Sequence, residues 1–185
     1  MVERIAEAPP RFKGRVAGGL YFFSLLTAAF GETSLHGRLA VAVGLIAVAG
    51  MVALTVLLYF IFKPVNRSLS LLAAFVNVVG LSFEALRWNP RGLDIALVFT
   101  GAYCILIGYL IFRSTFLPRI LGALVAFGGL AWLTYLSRSL AHDLSPYNVV
   151  FGILGEALLC LWLLVIGVNV QRWKEQASAV ESIGT

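Results

Sequence analysis

The chain has 185 residues, of which 60% are hydrophobic and only 12% are charged, and its mean hydropathy is +0.92. A soluble domain usually carries roughly a quarter charged residues, so this composition excludes an ordinary soluble globular protein and indicates a membrane protein. The net charge of +5 comes from basic residues that lie between apolar runs. Because they do not form a basic face on a soluble domain, we expect no nucleic-acid partner.

Long apolar stretches follow one another along the chain. A helix that crosses the hydrocarbon core of a membrane needs about 17–25 mainly apolar residues. Six stretches fit this requirement, at residues 15–31, 39–62, 68–86, 93–112, 117–137 and 147–170. The sequence therefore predicts an all-α, polytopic membrane bundle of six transmembrane helices.

The distribution of lysine and arginine predicts the orientation of these spans, because basic residues are enriched on the cytoplasmic side. With a cytoplasmic N-terminus, ten of the 14 basic residues fall on the inner side and four fall in outer loops. The outer four are Arg38, Arg87, Arg91 and Arg138. We predict that both termini are cytoplasmic. Residues 1–14 then form an N-terminal segment, residues 15–172 the transmembrane domain, and residues 173–185 a polar tail that is frayed after Lys174.

Most acidic residues and both histidines lie in the predicted outer half of the chain. Glu156 is nine residues into the last span. A carboxylate near the membrane centre costs roughly 3 kcal/mol or more, so this side chain should face protein or a wet cavity. Small and polar residues recur at helical spacing on the first, third and last spans, and small residues let helices approach closely. We infer that these three spans meet around an outward-opening polar pocket.

The candidate ligand-binding residues of this pocket are charged or polar residues of the outer half, namely Glu32, Asn77, Glu84, Arg87, Arg138, His142 and Glu156. Two interpretations remain open. In the first interpretation, Glu84 and Arg87, one turn apart, form an ion pair in which each charge neutralises the other. Alternatively, Arg87 and Arg138 hold an anionic head group, while Glu84 and Glu156 orient it or move protons. The predicted partners are the lipid bilayer and an anionic or amphipathic small ligand.

The residues do not predict a metal site, a cofactor or a catalytic group. Carboxylates and imidazoles are metal-ligand types, but no closely spaced metal-binding motif is present. Ser139, His142 and Asp143 include the residue types of a hydrolase triad. Adjacent histidine and aspartate side chains point in different directions on a helix, however, so we do not expect a triad here. Whether the protein is an enzyme stays open.

Several phrases of the sequence resemble a known family. Four of them occupy residues 14–21, 63–75, 108–114 and 116–122. The fifth consists of Gly155-Glu156 followed by residues 161–169. They are similar to a bacterial integral-membrane family known as domain-of-unknown-function family 4386. The resemblance implies a helical bundle, a multi-pass location in the inner (plasma) membrane, and no particular activity. The first outer loop is shorter here than in that family.

Three functional hypotheses follow. The first is the binding or transport of a small molecule or lipid through the outward-facing polar pocket. The second is a small membrane enzyme acting on a lipid or isoprenoid, with Glu156 or Glu84 as the base. The third is an accessory protein of a membrane complex, whose small-residue faces pack against a partner helix.

Overall fold

The computed structural model describes residues 9–34, 37–90 and 93–183, and the side chains within these ranges except at 28–34 and 180–183. Every regular element in this part of the chain is a helix, which confirms the all-α prediction. A 3₁₀ turn is formed by Thr134–Leu136. The α-helices are α1 (Pro10–Ser34), α2 (Arg38–Phe62), α3 (Arg67–Ala85), α4 (Ile95–Arg113), α5 (Arg119–Leu133), α6 (Arg138–Asp143), α7 (Tyr147–Val165) and α8 (Val170–Ile183).

Among the described residues, five helices are long and apolar enough to cross a membrane, namely α2, α3, α4, α5 with its 3₁₀ turn, and α7. Only 28–39% of the residues in their most apolar windows are buried inside the bundle. Most of these apolar side chains therefore lie on the outside, where lipid accommodates them and water would not. The predicted polytopic membrane bundle is confirmed. The helix α1 is not one of the five, so the count of six spans stays a prediction.

The long helices pack in a closed cyclic order. Each of α1 to α5 packs against its neighbour in sequence, α5 packs against α7, and α7 returns to α1. The first and last spans therefore meet, as their small residues predicted. The third span was expected to join them, and this prediction was wrong: α3 packs against α2 and α4. Its small residue Gly80 faces Phe99 of α4, so a side chain of an adjacent helix fills that space.

Glycines set the closest helix crossings. A Cβ atom on Gly18 of α1 would lie 2.4 Å from the backbone nitrogen of Leu164 in α7. Between α4 and α5, Gly108 and Gly122 face each other, and a Cβ on either would come within 2.6 Å of the other's carbonyl oxygen. Small residues at a crossing let backbones approach and improve van der Waals packing, the main attraction between helices in lipid.

The start of α1, the end of α2, the loop between α4 and α5 and the end of α7 lie at one end of the bundle, which we call the basic end. Gly14 packs against Val168 there, and the ring nitrogen of Trp173 in α8 donates to the carbonyl of Ile61, at 2.8 Å. The amino group of buried Lys13 lies 5.8 Å from the Trp173 ring centroid. The outer end is opposite, where α1 and α3 end and α2, α4 and α7 begin.

The C-terminal region differs from its prediction in two ways. The last span was predicted to reach residue 170, but α7 ends at Val165 because Gly167 adopts a left-handed backbone conformation, with φ 76°. The tail was predicted to be frayed after Lys174, and this was wrong, since α8 is helical to Ile183. The Asn169 side chain caps α8 by accepting from the backbone N–H of Arg172, at 3.2 Å.

Candidate functional site

Glu156 lies inside the bundle with only 6% of its surface exposed, so the prediction that it faces protein or a wet cavity agrees with its burial. Its carboxyl group is held from three other helices. The Tyr21 hydroxyl of α1 donates to Oε2 at 2.8 Å, and the Trp132 ring nitrogen of α5 donates to Oε1 at 2.8 Å. The Cys104 thiol of α4 contacts Oε1 at 3.8 Å. One carboxyl group therefore joins α1, α4, α5 and α7.

Two glycines of α7 make this arrangement possible. A Cβ on Gly152, one turn before Glu156, would lie 2.4 Å from the Trp132 indole, so only glycine leaves room for that ring. A Cβ on Gly155 would lie 2.7 Å from the carbonyl oxygen of Leu124, so Gly155 lets the backbones of α5 and α7 approach. The small-residue stripe of the last span thus brings the indole donor to the carboxyl group.

The hydrogen-bond chemistry of Glu156 is compatible with either protonation state. An indole N–H can only donate, so Oε1 must accept from Trp132. A tyrosine hydroxyl can donate or accept, so Oε2 either accepts from Tyr21 as a carboxylate or donates to it as a carboxylic acid. Because hydrogen bonds satisfy both oxygens, the site can serve as a structural tie between helices without any ligand.

A second buried polar contact joins α2 and α3. The Asn77 amide donates to the Thr55 hydroxyl at 2.6 Å, and Thr55 donates in turn to the carbonyl of Met51 at 2.7 Å. The Tyr103 hydroxyl of α4 is buried nearby and lies close to the Thr55 side chain. Tyr103 therefore lies between the polar cluster around Glu156 and the polar cluster around Thr55.

A concave surface with polar residues at the outer end is a groove of about 450 Å³ between α2 and α3, which we call the outer groove. Thr27 of α1 and Ala96 of α4 also line it. Arg87 has a left-handed backbone, with φ 50°, which is uncommon for a residue with a side chain. The polar lining residues are Glu84, Arg87, Asn89 and Asp94, and the apolar ones include Val41, Leu45, Val48 and Phe83.

The predicted pocket residues lie in several places. Glu84 and Arg87 share the outer groove, while Asn77 bonds Thr55 and Glu156 lies in the core. Arg138 and His142 are exposed on the short helix α6 and line neither of the two grooves described here. The side chain of Glu32 lies outside the described part of the chain. Of the six residues whose side chains are described, the structure therefore brings two together, and a binding role for any of the seven stays a prediction.

Several residues of these clusters were not predicted from the sequence. Trp132 and Cys104 lie in apolar stretches, and only the tertiary fold brings them to Glu156. A tryptophan in the middle of a span does give a signal, because its buried N–H needs an acceptor. Asn89 and Asp94 of the outer groove lie in the loop after α3, where polar residues are common.

Within the described residues, no three histidine, cysteine, aspartate or glutamate side chains are grouped closely enough to hold a metal ion. On the exposed helix α6, the Ser139 hydroxyl donates to the Asp143 carboxylate at 3.4 Å. This is a local contact one turn apart on the helix, and it does not include His142.

Comparisons with known proteins identify a relative and a family resemblance. An uncharacterized protein of Archaeoglobus fulgidus is 29% identical over 127 residues, a match that covers 63% of this chain and 76% of that protein. No solved structure matches the chain significantly. The family model for the domain of unknown function DUF4386 matches residues 80–167, from the outer half of α3 to the end of α7. The resemblance predicted from the sequence is therefore confirmed, and the segment from the outer groove to Glu156 is DUF4386-like.

Proposed function

We propose that the protein binds an amphipathic small molecule in the outer groove, and that the head group of this ligand carries both a positive and a negative charge. The observation behind the proposal is the groove itself, which combines a charged rim with an apolar wall in about 450 Å³. Membrane binding sites of this kind are concave, largely apolar and oriented by a few polar groups.

The groove exists because α2 and α3 touch mainly near their connecting loop. The Ser70 hydroxyl donates to the carbonyl of Tyr59 at 3.1 Å, and Asn77 bonds Thr55 further along. Beyond these two contacts, residues 40–48 of α2 and residues 83–87 of α3 form opposite walls of the groove. An opening between two helices that faces outwards is accessible from both lipid and water.

The charges of the rim indicate the head group. Arg87 offers a guanidinium group, which pairs well with phosphate or carboxylate. Glu84 and Asp94 add two carboxylates, and Asp94 also caps α4 by accepting from the N–H of Leu97. With one cation and two anions among the described residues of the rim, a purely anionic ligand is poorly matched. A zwitterionic head group satisfies both signs.

The orientation of the groove follows from the basic residues. Arg11, Lys63, Arg113 and Arg172 belong to elements of the basic end, opposite the groove. Since basic residues favour the cytoplasmic side, we place the basic end and both termini in the cytoplasm. The outer groove then faces outwards from the cell inner (plasma) membrane.

Transport and enzymatic activity receive less support from the geometry. Glu156, the deepest carboxyl group, is enclosed by Tyr21, Trp132 and Cys104 and does not line the outer groove. A base must lie within reach of its substrate, so we assign Glu156 a structural role. No contact within the described residues favours an accessory role over ligand binding.

Protection of an introduced cysteine tests the proposal. Gly44 lines the groove with open space where a side chain would extend, so a Gly44→Cys variant places a thiol there. The native Cys104 and Cys160 are 2% and 1% exposed and give little background. The protein is purified in a maltoside detergent and labelled with a water-soluble maleimide. Dodecyl amphiphiles with phosphocholine, trimethylammonium, phosphate or hydroxyl head groups are then added in turn.

We expect the phosphocholine compound to slow labelling by at least about threefold, which corresponds to roughly 0.7 kcal/mol. Adding Arg87→Ala or Glu84→Gln should remove that protection. A Ser139→Cys variant, exposed on α6 and outside the groove, is the matched control and should label at an unchanged rate. Equal protection by all four head groups, by none, or at Ser139 as well would overturn the proposal. So would stronger protection by a singly charged compound.

A further inference from the structure

A second groove, of about 560 Å³, lies at the basic end of the bundle, and we call it the inner groove. It is bounded by the start of α1, the loop between α4 and α5, the end of α7 and the start of α8. The lining residues are Arg11, Thr115, Phe116, Leu117, Pro118, Trp162, Ile166, Gly167, Val168, Asn169, Val170, Gln171 and Arg172. None of them lines the outer groove or is a hydrogen-bond partner of Glu156.

The charged side chains that line the inner groove are basic in the described part of the chain. Arg11 and Arg172 line it, and none of the described lining residues is acidic. The Arg172 guanidinium donates one bond, at 3.4 Å, to the carbonyl of Thr115. Neither arginine forms an ion pair within the described ranges, so most of their donors are open to a ligand. Arginine presents five N–H donors that match the oxygens of a phosphate group.

One wall of the same groove is apolar. Phe116 and Leu117 are buried, Trp162 is partly buried, and Ile166 is 50% exposed. These side chains lie where α7 ends and the chain turns into the polar helix α8, at the boundary between the apolar and polar parts of the protein. A ligand here would meet arginines on one side and hydrocarbon contacts on the other.

The groove is held in shape by α8. The Thr115 backbone N–H donates to the Gln176 side chain at 3.1 Å, and the Thr115 hydroxyl bonds both Gln176 and the carbonyl of Arg172. These contacts fix the start of α8 against the loop between α4 and α5. A preformed site loses less conformational entropy when it binds a ligand.

We propose that the inner groove binds an anionic phospholipid of the adjoining leaflet. The lipid phosphate lies between Arg11 and Arg172, and an acyl chain follows Trp162 and Ile166. Two arginines, with no acidic side chain among the described lining residues, favour an anionic head group over a zwitterionic one. Basic pockets between membrane helices suit such lipids. The proposal is independent of ligand binding in the outer groove, because the two grooves share no residue.

Native mass spectrometry of the whole protein, released from mild detergent, tests this proposal. Phosphatidylglycerol and phosphatidylcholine are added at equal concentration, and the fraction of protein that retains each lipid is measured. The test variant is Arg11→Ala/Arg172→Ala. The matched control is Arg67→Ala/Lys174→Ala, which also removes two positive charges, but from exposed positions outside the groove. A thermal melt of each variant verifies folding.

We expect the wild type and the control to retain phosphatidylglycerol in preference to phosphatidylcholine. The test variant should bind phosphatidylglycerol at least about tenfold more weakly, as the loss of charge-assisted bonds implies. An equal loss in the control would show general surface attraction and overturn the proposal. An absence of lipid preference in the wild type would also overturn it. If soluble glycerol phosphate displaces the lipid at equal concentration, the site takes free phosphate esters, and the lipid assignment fails.

Discussion

The contact between α1 and α7 at Gly18 allows a sharp test of the fold. In a Gly18→Ala variant the new methyl group would lie 2.4 Å from the nitrogen and 2.8 Å from the Cα of Leu164. Ordinary contact begins near 3.4 Å, so the two helices must separate by about 1 Å. Overpacking of this kind costs about 1–3 kcal/mol. The higher helix propensity of alanine offsets about 0.5–1 kcal/mol of this cost, so we expect a net destabilisation of up to about 2.5 kcal/mol.

The neighbouring Gly19 supplies the control, because a Cβ there meets nothing within 4 Å. Gly19→Ala should leave stability unchanged or raise it slightly. The assay is thermal unfolding in mild detergent with a thiol-reactive fluorogenic dye, since both native cysteines are buried until the protein unfolds. At roughly 2–4 °C per kcal/mol, Gly18→Ala should melt several degrees below Gly19→Ala. If the two variants melt together, the backbones of α1 and α7 are not in contact, and the closed order of helices is wrong.

Three further predictions concern buried polar contacts, and the first two use the same melting assay. Glu156→Gln keeps an acceptor for Trp132 and should cost less than about 1 kcal/mol, whereas Glu156→Ala leaves buried donors unpaired and should cost about 1–3 kcal/mol. Equal melting of these two variants would contradict the structural role. Thr55→Val removes the acceptor of Asn77 and should cost about 0.6–2 kcal/mol. This loss should largely disappear in an Asn77→Leu background, and independent, additive losses would refute the bond. Trp173→Phe removes the ring N–H that anchors α8 to α2, and trypsin should then cleave α8 several times faster. An unchanged cleavage rate would show that the anchor is elsewhere.

Much of the architecture could be predicted because membrane helices carry strong local signals. Apolar stretches of the right length predicted the five described helices that are long and apolar enough to cross a membrane. The glycines of α1 and α7 indicated their contact, since small residues are common where membrane helices cross. The position of α3 was predicted incorrectly because a small-residue stripe identifies a face that packs closely, but not the helix that it packs against.

The candidate site was harder to predict. The depth and charge of Glu156 indicated burial, but its partners Tyr21 and Trp132 come from helices far away in sequence. The two grooves depend on how helices diverge and on where α8 lies, and hydropathy carries no information on either. The pair Glu84 and Arg87 was identified because both residues are on one helix end. Asn89 and Asp94 join them only through the fold of the following loop.

The closed order of the helices also has a consequence for assembly. Tyr21 in α1 and Glu156 in α7 are 135 positions apart, so their hydrogen bond can form only after α7 has been synthesised. If spans enter the membrane in sequence, the polar groups of Tyr21 and Trp132 lack their common acceptor until α7 arrives. Lipid cannot supply such an acceptor. Glu156 would then draw α7 into the remaining gap, so that the carboxyl group guides the final step of assembly.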